Sequence, residues 1–174
     1  MSNSYDDVMA RRSDIMRQAL ALDYDSFQHG DLVFDYDALM SSTGYRLDDV
    51  ARIQAETKVG HTPLYELHRL TEAVREIAGP GKGARILLKD EAANASGSFK
   101  ARRASLSAHE AQVKGFAGMV TATSGNYGAA VASQAAQRGL ACIVIQEIYD
   151  SQHVGQPEIV EKSRACEAYG AEVI

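Results

Sequence analysis

Apolar residues in the first third of the chain recur at helical spacing. Val8, Met9, Ile15, Met16, Ala19, Leu20 and Leu22 fall roughly three and four residues apart, which predicts a helix over 4–22 with Ser4 as its N-cap. Tyr24, Phe27, Phe34, Tyr36 and Tyr45 then crowd an acidic stretch that reads as a loop and a short helix. Leu47, Val50, Ile53 and Ala55 predict a second helix through about Thr57.

The texture changes at Gly60. Gly60-His61-Thr62-Pro63-Leu64 is a turn, and Leu67, Leu70, Val74 and Ile77 mark one face of a helix over 66–78. Gly79-Pro80-Gly81-Lys82-Gly83 stops it, because neither Gly nor Pro continues a helix well. Strands are predicted at Arg85–Asp90, Gly118–Ala122, Leu140–Gln146 and from Glu172 onward, with Ile143, Val144 and Ile145 buried on both faces. Helices are predicted at Ser98–Lys114, Asn126–Arg138 and Pro157–Tyr169, the first with Ser96 or Ser98 near its cap. Strict alternation of strand and helix from 84 to 174 predicts an α/β fold with a parallel sheet and helices on both faces. The expected organisation is a helical N-terminal extension over 1–58 and a catalytic portion over 59–174. Ala171-Glu172-Val173-Ile174 reads as a strand just begun, so the domain is expected to be incomplete. The longest loop in the alternating section is 147–156, with Asp150, Ser151, His153 and Gly155.

Composition narrows the function classes. A formal net charge of −5 and a pI near 5.5 give no basic surface for nucleic acid or an anionic membrane. Apolar runs such as Ile86-Leu87-Leu88 are too short for a spanning helix, and the charged N-terminus has no signal-peptide core. A cytoplasmic protein is expected. Cys142 and Cys166 lie in unlike contexts and read as ordinary thiols. His61, His68, His109 and His153 show no metal-ligand spacing, and His153 reads as a solvent-exposed loop residue.

The chemistry is concentrated in two short segments. Ser96-Gly97-Ser98-Phe99-Lys100 puts a lysine at the start of a helix, and Thr123-Ser124-Gly125-Asn126-Tyr127-Gly128 opens the next helix 23 residues later. Such a lysine can hold an aldehyde cofactor as a Schiff base if its surroundings are partly dry. It can equally be a surface residue on a capped helix. The second segment offers N–H groups and hydroxyls to an anion. It can equally be a helix cap, with Ser124 or Asn126 capping and Gly128 allowing close helix–sheet packing. Both segments follow predicted strands, where open α/β sheets bind ligands.

In order and spacing, Lys89-Asp90-Glu91, the lysine segment and the asparagine segment resemble the N-terminal half of pyridoxal-phosphate (PLP) enzymes of fold type II. That family includes threonine synthase, serine/threonine dehydratase and cysteine synthase. Gly60-His61-Thr62-Pro63-Leu64 resembles the family's opening segment. More narrowly, Asp90–Asn94, Ala122–Ala136 and Val154–Glu158 resemble the beta-subunit family of PLP-dependent amino-acid thiolases. The resemblance implies PLP as cofactor, Lys100 as the Schiff-base lysine and Asn126 as partner of the PLP 3′-hydroxyl. It puts Thr123, Ser124, Gly125 and Tyr127 near the substrate carboxylate, and implies no metal. It further implies an acyltransferase of ornithine fermentation that uses coenzyme A and yields acetyl-CoA, works with a thiolase alpha subunit and forms an oligomer.

A threonine synthase-like lyase or dehydratase is the alternative within the family, and a truncated, non-catalytic remnant is the alternative of another class. One departure is visible. Many relatives have Asp after Ser-Phe-Lys, whereas this chain has Ala101, then Arg102 and Arg103. Nothing before Ile174 resembles the family's glycine-rich phosphate loop, so the chain alone is expected to bind PLP poorly.

Overall fold

The computed structural model describes residues 4–30, 32–149 and 151–174. Asp150 of the long loop therefore lies outside the described residues. Contacts divide the chain into two compact units, Met1–Leu47 and Asp48–Ile174.

The first unit holds α1 (Tyr5–Ala10), α2 (Arg12–Leu20), a 3-10 turn (Tyr24–Phe27), β1 (Gln28–His29), β2 (Val33–Phe34) and α3 (Tyr36–Ser42). Ser4 caps as the sequence predicts, accepting from the Asp7 N–H. The single predicted helix is two, parted at Arg11, whose backbone leaves helical geometry at φ −105 and ψ 7. The acidic-aromatic stretch is a cluster. Phe34 packs on Tyr24 and Tyr36 with ring centroids 4.6 and 4.8 Å apart, and Arg12 lies over the Tyr24 ring. Edge and tilted ring contacts of this kind order a segment that has little buried aliphatic surface.

The second unit begins with α4 (Leu47–Glu56), β3 (Leu64–Glu66), α5 (His68–Ala78) and β4 (Leu87–Lys89). It continues through α6 (Lys100–Val113), β5 (Gly118–Thr123), α7 (Asn126–Gln137), β6 (Ala141–Gln146), α8 (Pro157–Ala168) and β7 (Glu172–Val173). β5, β6 and β7 form a parallel sheet in that order, with Gly118 opposite Ala141 and Val144 opposite Val173. β4 does not join it. The alternation predicts β4 as the first parallel strand, but it pairs antiparallel with β3, Leu64 opposite Lys89 and Glu66 opposite Leu87. β3 is a three-residue strand beside Pro63, too short for a period to show. Leu67 N–H to the Ile86 carbonyl and Asp90 N–H to the Pro63 carbonyl extend the ladder at either end.

The core lies between the sheet and the small-residue helices α6, α7 and α8. Every residue of α7 from Gly128 to Ala135 is buried, and α6 buries Ala101, Ala104, Ser105, Ala108 and Ala111. Short side chains let helix backbones approach closely. Polar side chains pair within this core: Thr57 Oγ1 donates to Gln134 Oε1 at 2.7 Å, and Ser163 Oγ to Gln146 Oε1 at 2.8 Å. Arg138, at the far end of α7, reaches Glu56 Oε2 at 3.1 Å and the Ile53 carbonyl at 3.4 Å, which fastens α4 to the helix pair.

Helices are predicted on both faces of the sheet. Among the described residues one face, with Cys142, Val144 and Gln146, is covered, while Val120 (67%) and Ile145 (48%) on the other are exposed. Ile145 is thus not the doubly buried residue that the apolar run predicts: strand alternation turns it away from Val144.

Gly128 sets the spacing of α7 from the sheet. A Cβ there would stand 2.6 Å from Thr123 Cγ2 and 2.9 Å from Val144 Cγ1. Gly128→Ala should therefore cost about 1–3 kcal/mol of stability, as overpacking does, measured by chemical denaturation. A variant as stable as the parent would show that the helix can withdraw freely.

Candidate functional site

Beyond β4 the chain makes a 3-10 turn at Glu91–Ala93 and a tight turn in which Gly97 N–H donates to the Asn94 carbonyl at 2.7 Å. Gly97 has φ +75, a left-handed conformation that side-chain-bearing residues disfavour. α6 then starts at Lys100. Neither serine is its N-cap; that position is Phe99, although Ser98 Oγ accepts from the Lys100 N–H at 3.3 Å. Lys100 is half-buried, and its Nζ lies 4.7 Å from the centroid of the Phe99 ring. Phe99 itself is largely exposed, so it flanks the amine rather than packing beneath the helix.

One carboxylate organises this segment. Glu91 accepts from Arg102 Nε at 2.7 Å and Arg102 Nη2 at 2.8 Å, a bidentate pair. It also accepts from Thr62 Oγ1 at 2.7 Å and Asn94 Nδ2 at 3.1 Å. Asn94 Oδ1 takes the Gly60 N–H at 3.0 Å, and Lys89 Nζ donates to the Thr62 carbonyl. Hydrogen bonds from the Arg102 guanidinium, then from Thr62 and Asn94, outweigh desolvation and hold the Glu91 carboxyl at about 2.

The asparagine segment is held from within. Thr123 Oγ1 accepts from the Gly125 N–H at 3.0 Å, and the hydroxyl lies 3.3 Å from the Gly125 carbonyl. α7 starts at Asn126 with Gly125 as N-cap and no side chain capping it. Ser124 and Asn126 do not cap; both are exposed, and Gly125 and Tyr127 are half-buried. α6 runs into β5 and α7 runs out of it, so both helix starts lie at the carboxyl end of that strand. Arg103 joins them, its guanidinium 4.9 Å from the Tyr127 ring centroid. Tyr169 Oη, beyond α8, donates to the Ala95 carbonyl at 3.0 Å.

Lys100 and the Thr123–Tyr127 turn are thus brought to one end of the sheet. Glu91, Asn94 and Arg102 complete the arrangement; Glu91 and Asn94 lie in stretches that resemble the family, but nothing in the sequence marks their contact with each other and with Arg102. The signal available was electrostatic: three cations in the first turn of α6 oppose the helix dipole, so at least one needs an acid from elsewhere. His153 is exposed, as its loop position predicts. Cys142 and Cys166 are both buried in the core, and burial pushes both thiols up, away from thiolate chemistry.

The residues present fit an aldehyde cofactor with an anionic substrate group beside it. Lys100 supplies an amine, and the uncapped start of α7 supplies N–H donors. Ser96 Oγ, in the same segment, is buried without a hydrogen-bond partner, the condition of a group with bonding capacity to spare.

Comparison with known proteins bears directly on this arrangement. The sequence profile of the pyridoxal-phosphate dependent enzyme family matches residues 55–174, so the chain belongs to that family. It is 60% identical over 171 residues to a 2-amino-4-ketopentanoate thiolase beta subunit from an unknown prokaryotic organism, covering 98% of this chain and 36% of that protein. The beta subunit of the same name from Acetoanaerobium sticklandii is 57% identical over the same shares. The crystal structure of cysteine synthase from Entamoeba histolytica superposes with a TM-score of 0.54 at 31% identity, over 68% of this chain and 33% of that one. The chain spans about a third of the length of the curated relatives it matches.

The depressed Glu91 carboxyl gives the segment an acid limit. Its contribution to stability is present above about pH 4.5 and is lost as pH falls through about 2, because protonation removes the charge and leaves one oxygen unable to accept from Arg102. Glu91→Gln should lower stability at neutral pH by about 1–3 kcal/mol and remove this part of the acid transition, followed by circular dichroism against pH. An acid limb identical to the parent's would mean that Glu91 is not the titrating group.

Proposed function

We propose that this chain carries the cofactor-bearing lysine of a PLP-dependent thiolase beta subunit. With an alpha subunit, the enzyme converts 2-amino-4-oxopentanoate and coenzyme A to acetyl-CoA and alanine in ornithine degradation. The observation that carries the reading is the 60% identity to a thiolase beta subunit across 98% of the chain. It is joined to a half-buried Lys100 beside an uncapped helix start.

Bound PLP would supply an electron sink conjugated to the substrate nitrogen. The remaining work falls to the chain. Lys100 holds the cofactor through its amine and, once released by substrate, carries a proton to and from the substrate α-carbon. Phe99, against Lys100 Nζ, excludes water from one side of the amine. Asn126 donates to the 3′-oxygen of the cofactor ring. Ser124, Gly125 and Tyr127 receive the substrate carboxylate, with the first-turn N–H groups of α7 as donors. Thr123 serves that site by holding the turn closed from inside.

In the PLP-loaded holoenzyme, borohydride reduction and peptide mapping should find the pyridoxyl group on Lys100, and Lys100→Ala should abolish it. A label on Lys89, Lys114 or Lys162 would overturn the assignment. Asn126→Ala should retain PLP and lower turnover about 10- to 100-fold, the loss of one hydrogen bond to a charged oxygen. An unchanged kcat would leave Asn126 with a purely structural place. The substrate reading stands on acetyl-CoA formation from 2-amino-4-oxopentanoate and coenzyme A, and a holoenzyme that forms none contradicts it.

A further inference from the structure

We propose that Glu91 and Arg102 are positioning residues that set the direction in which Lys100 points, an inference that rests on Lys100 being the cofactor-bearing lysine. Lys100 is the first residue of α6, where the helix has no side-chain cap and no acid in its first turn. A helix start of that kind is the part most prone to fray. It also carries Arg102 and Arg103 against the unfavourable end of the helix dipole.

The bidentate pair between Arg102 and Glu91, at 2.7 and 2.8 Å, counters both effects. Glu91 precedes the lysine segment and Arg102 follows it, so the pair closes the segment into a ring that contains Lys100. The ring is anchored outside itself through Thr62 and Gly60, and through Gln54, whose Nε2 donates to the Arg102 carbonyl at 3.3 Å.

Helical geometry supplies the direction. Successive residues turn by about 100°, so Arg102 stands on the side of α6 roughly opposite Lys100, and Arg103 stands within about 60° of it. Arg103 lies against Tyr127 of the asparagine segment. Pulling Arg102 onto Glu91 therefore rotates Lys100 toward that segment. Two parallel hydrogen bonds fix a rotation where one point contact does not, so lysine is no substitute for arginine here.

The test compares Arg102→Lys and Arg102→Met with the parent. Amide exchange over residues 94–102 is measured on the full enzyme freed of PLP, and the rate at which PLP is then incorporated is followed by borohydride trapping and peptide mapping. Arg102→Lys keeps the charge and the stem, and carries the test if Arg102→Met does not fold. The expected result is at least tenfold faster exchange confined to 94–102 and at least tenfold slower incorporation at Lys100. In steady state kcat, expressed per borohydride-trapped pyridoxyl group on Lys100 so that unfolded protein is not counted, should fall tenfold or more with KM for the amino acid changed less than twofold. Parent-like exchange and incorporation in Arg102→Lys would overturn the inference. Failure of the underlying cofactor reading is seen separately, in the parent, as a pyridoxyl label on a lysine other than Lys100.

Discussion

The second unit depends on how closely α7 can lie against the parallel sheet. Gly128 meets Thr123 and Val144 with no space for a further carbon. From that contact the rest follows. α7 can be buried over two turns only because alanines flank it, and α6 can pack beside α7 only because it offers alanines and a serine in return. The starts of both helices are consequently near neighbours, and the two segments of the proposed site are those starts. The same glycine closes the Thr123–Gly128 segment, so packing and site are specified by one stretch of sequence.

Charge arrangement is the second layer. Helix starts favour anions, and this chain leaves the start of α7 without a capping side chain while loading the start of α6 with three cations. That is an unstable distribution for a bare helix and a serviceable one for binding an anionic ligand. The cations are individually accommodated: Arg102 by Glu91, Arg103 by the face of Tyr127, and Lys100 by the face of Phe99. Only the first of these is a strong, geometrically defined pair, and it is the one that leaves the amine of Lys100 uncommitted to any carboxylate.

Much of this was legible in the chain because its signals are local. Periodicity located α4, α7 and α8 to within a residue or two, and the lysine and asparagine segments could be quoted as motifs. What was missed is non-local. β3 is three residues long and has no period to read, so β4 was assigned to the wrong kind of pairing. The break at Arg11 follows no Gly or Pro. Ile145 sits in an unbroken apolar run, and such a run does not say which of its members a sheet face leaves uncovered. The Glu91–Arg102 pair joins residues whose spacing matches neither helix nor strand, and only the folded segment brings them together. The departure at Ala101, where many members of the resembled family carry Asp, finds its account there: Ala101 is buried, and Arg102 draws its carboxylate from the preceding turn.

An interface made almost entirely of alanines has a further consequence, which concerns motion. Long side chains let packed helices slide by exchanging rotamers; methyl groups have no alternative rotamers to offer. α6 and α7 should therefore move as one body, with the interval between Lys100 and Asn126 nearly constant at their backbones. Any opening that admits or releases a ligand must then come from the short connections at their ends, the turn around Gly97 and the turn between Thr123 and Asn126, and from the swing of the lysine side chain itself.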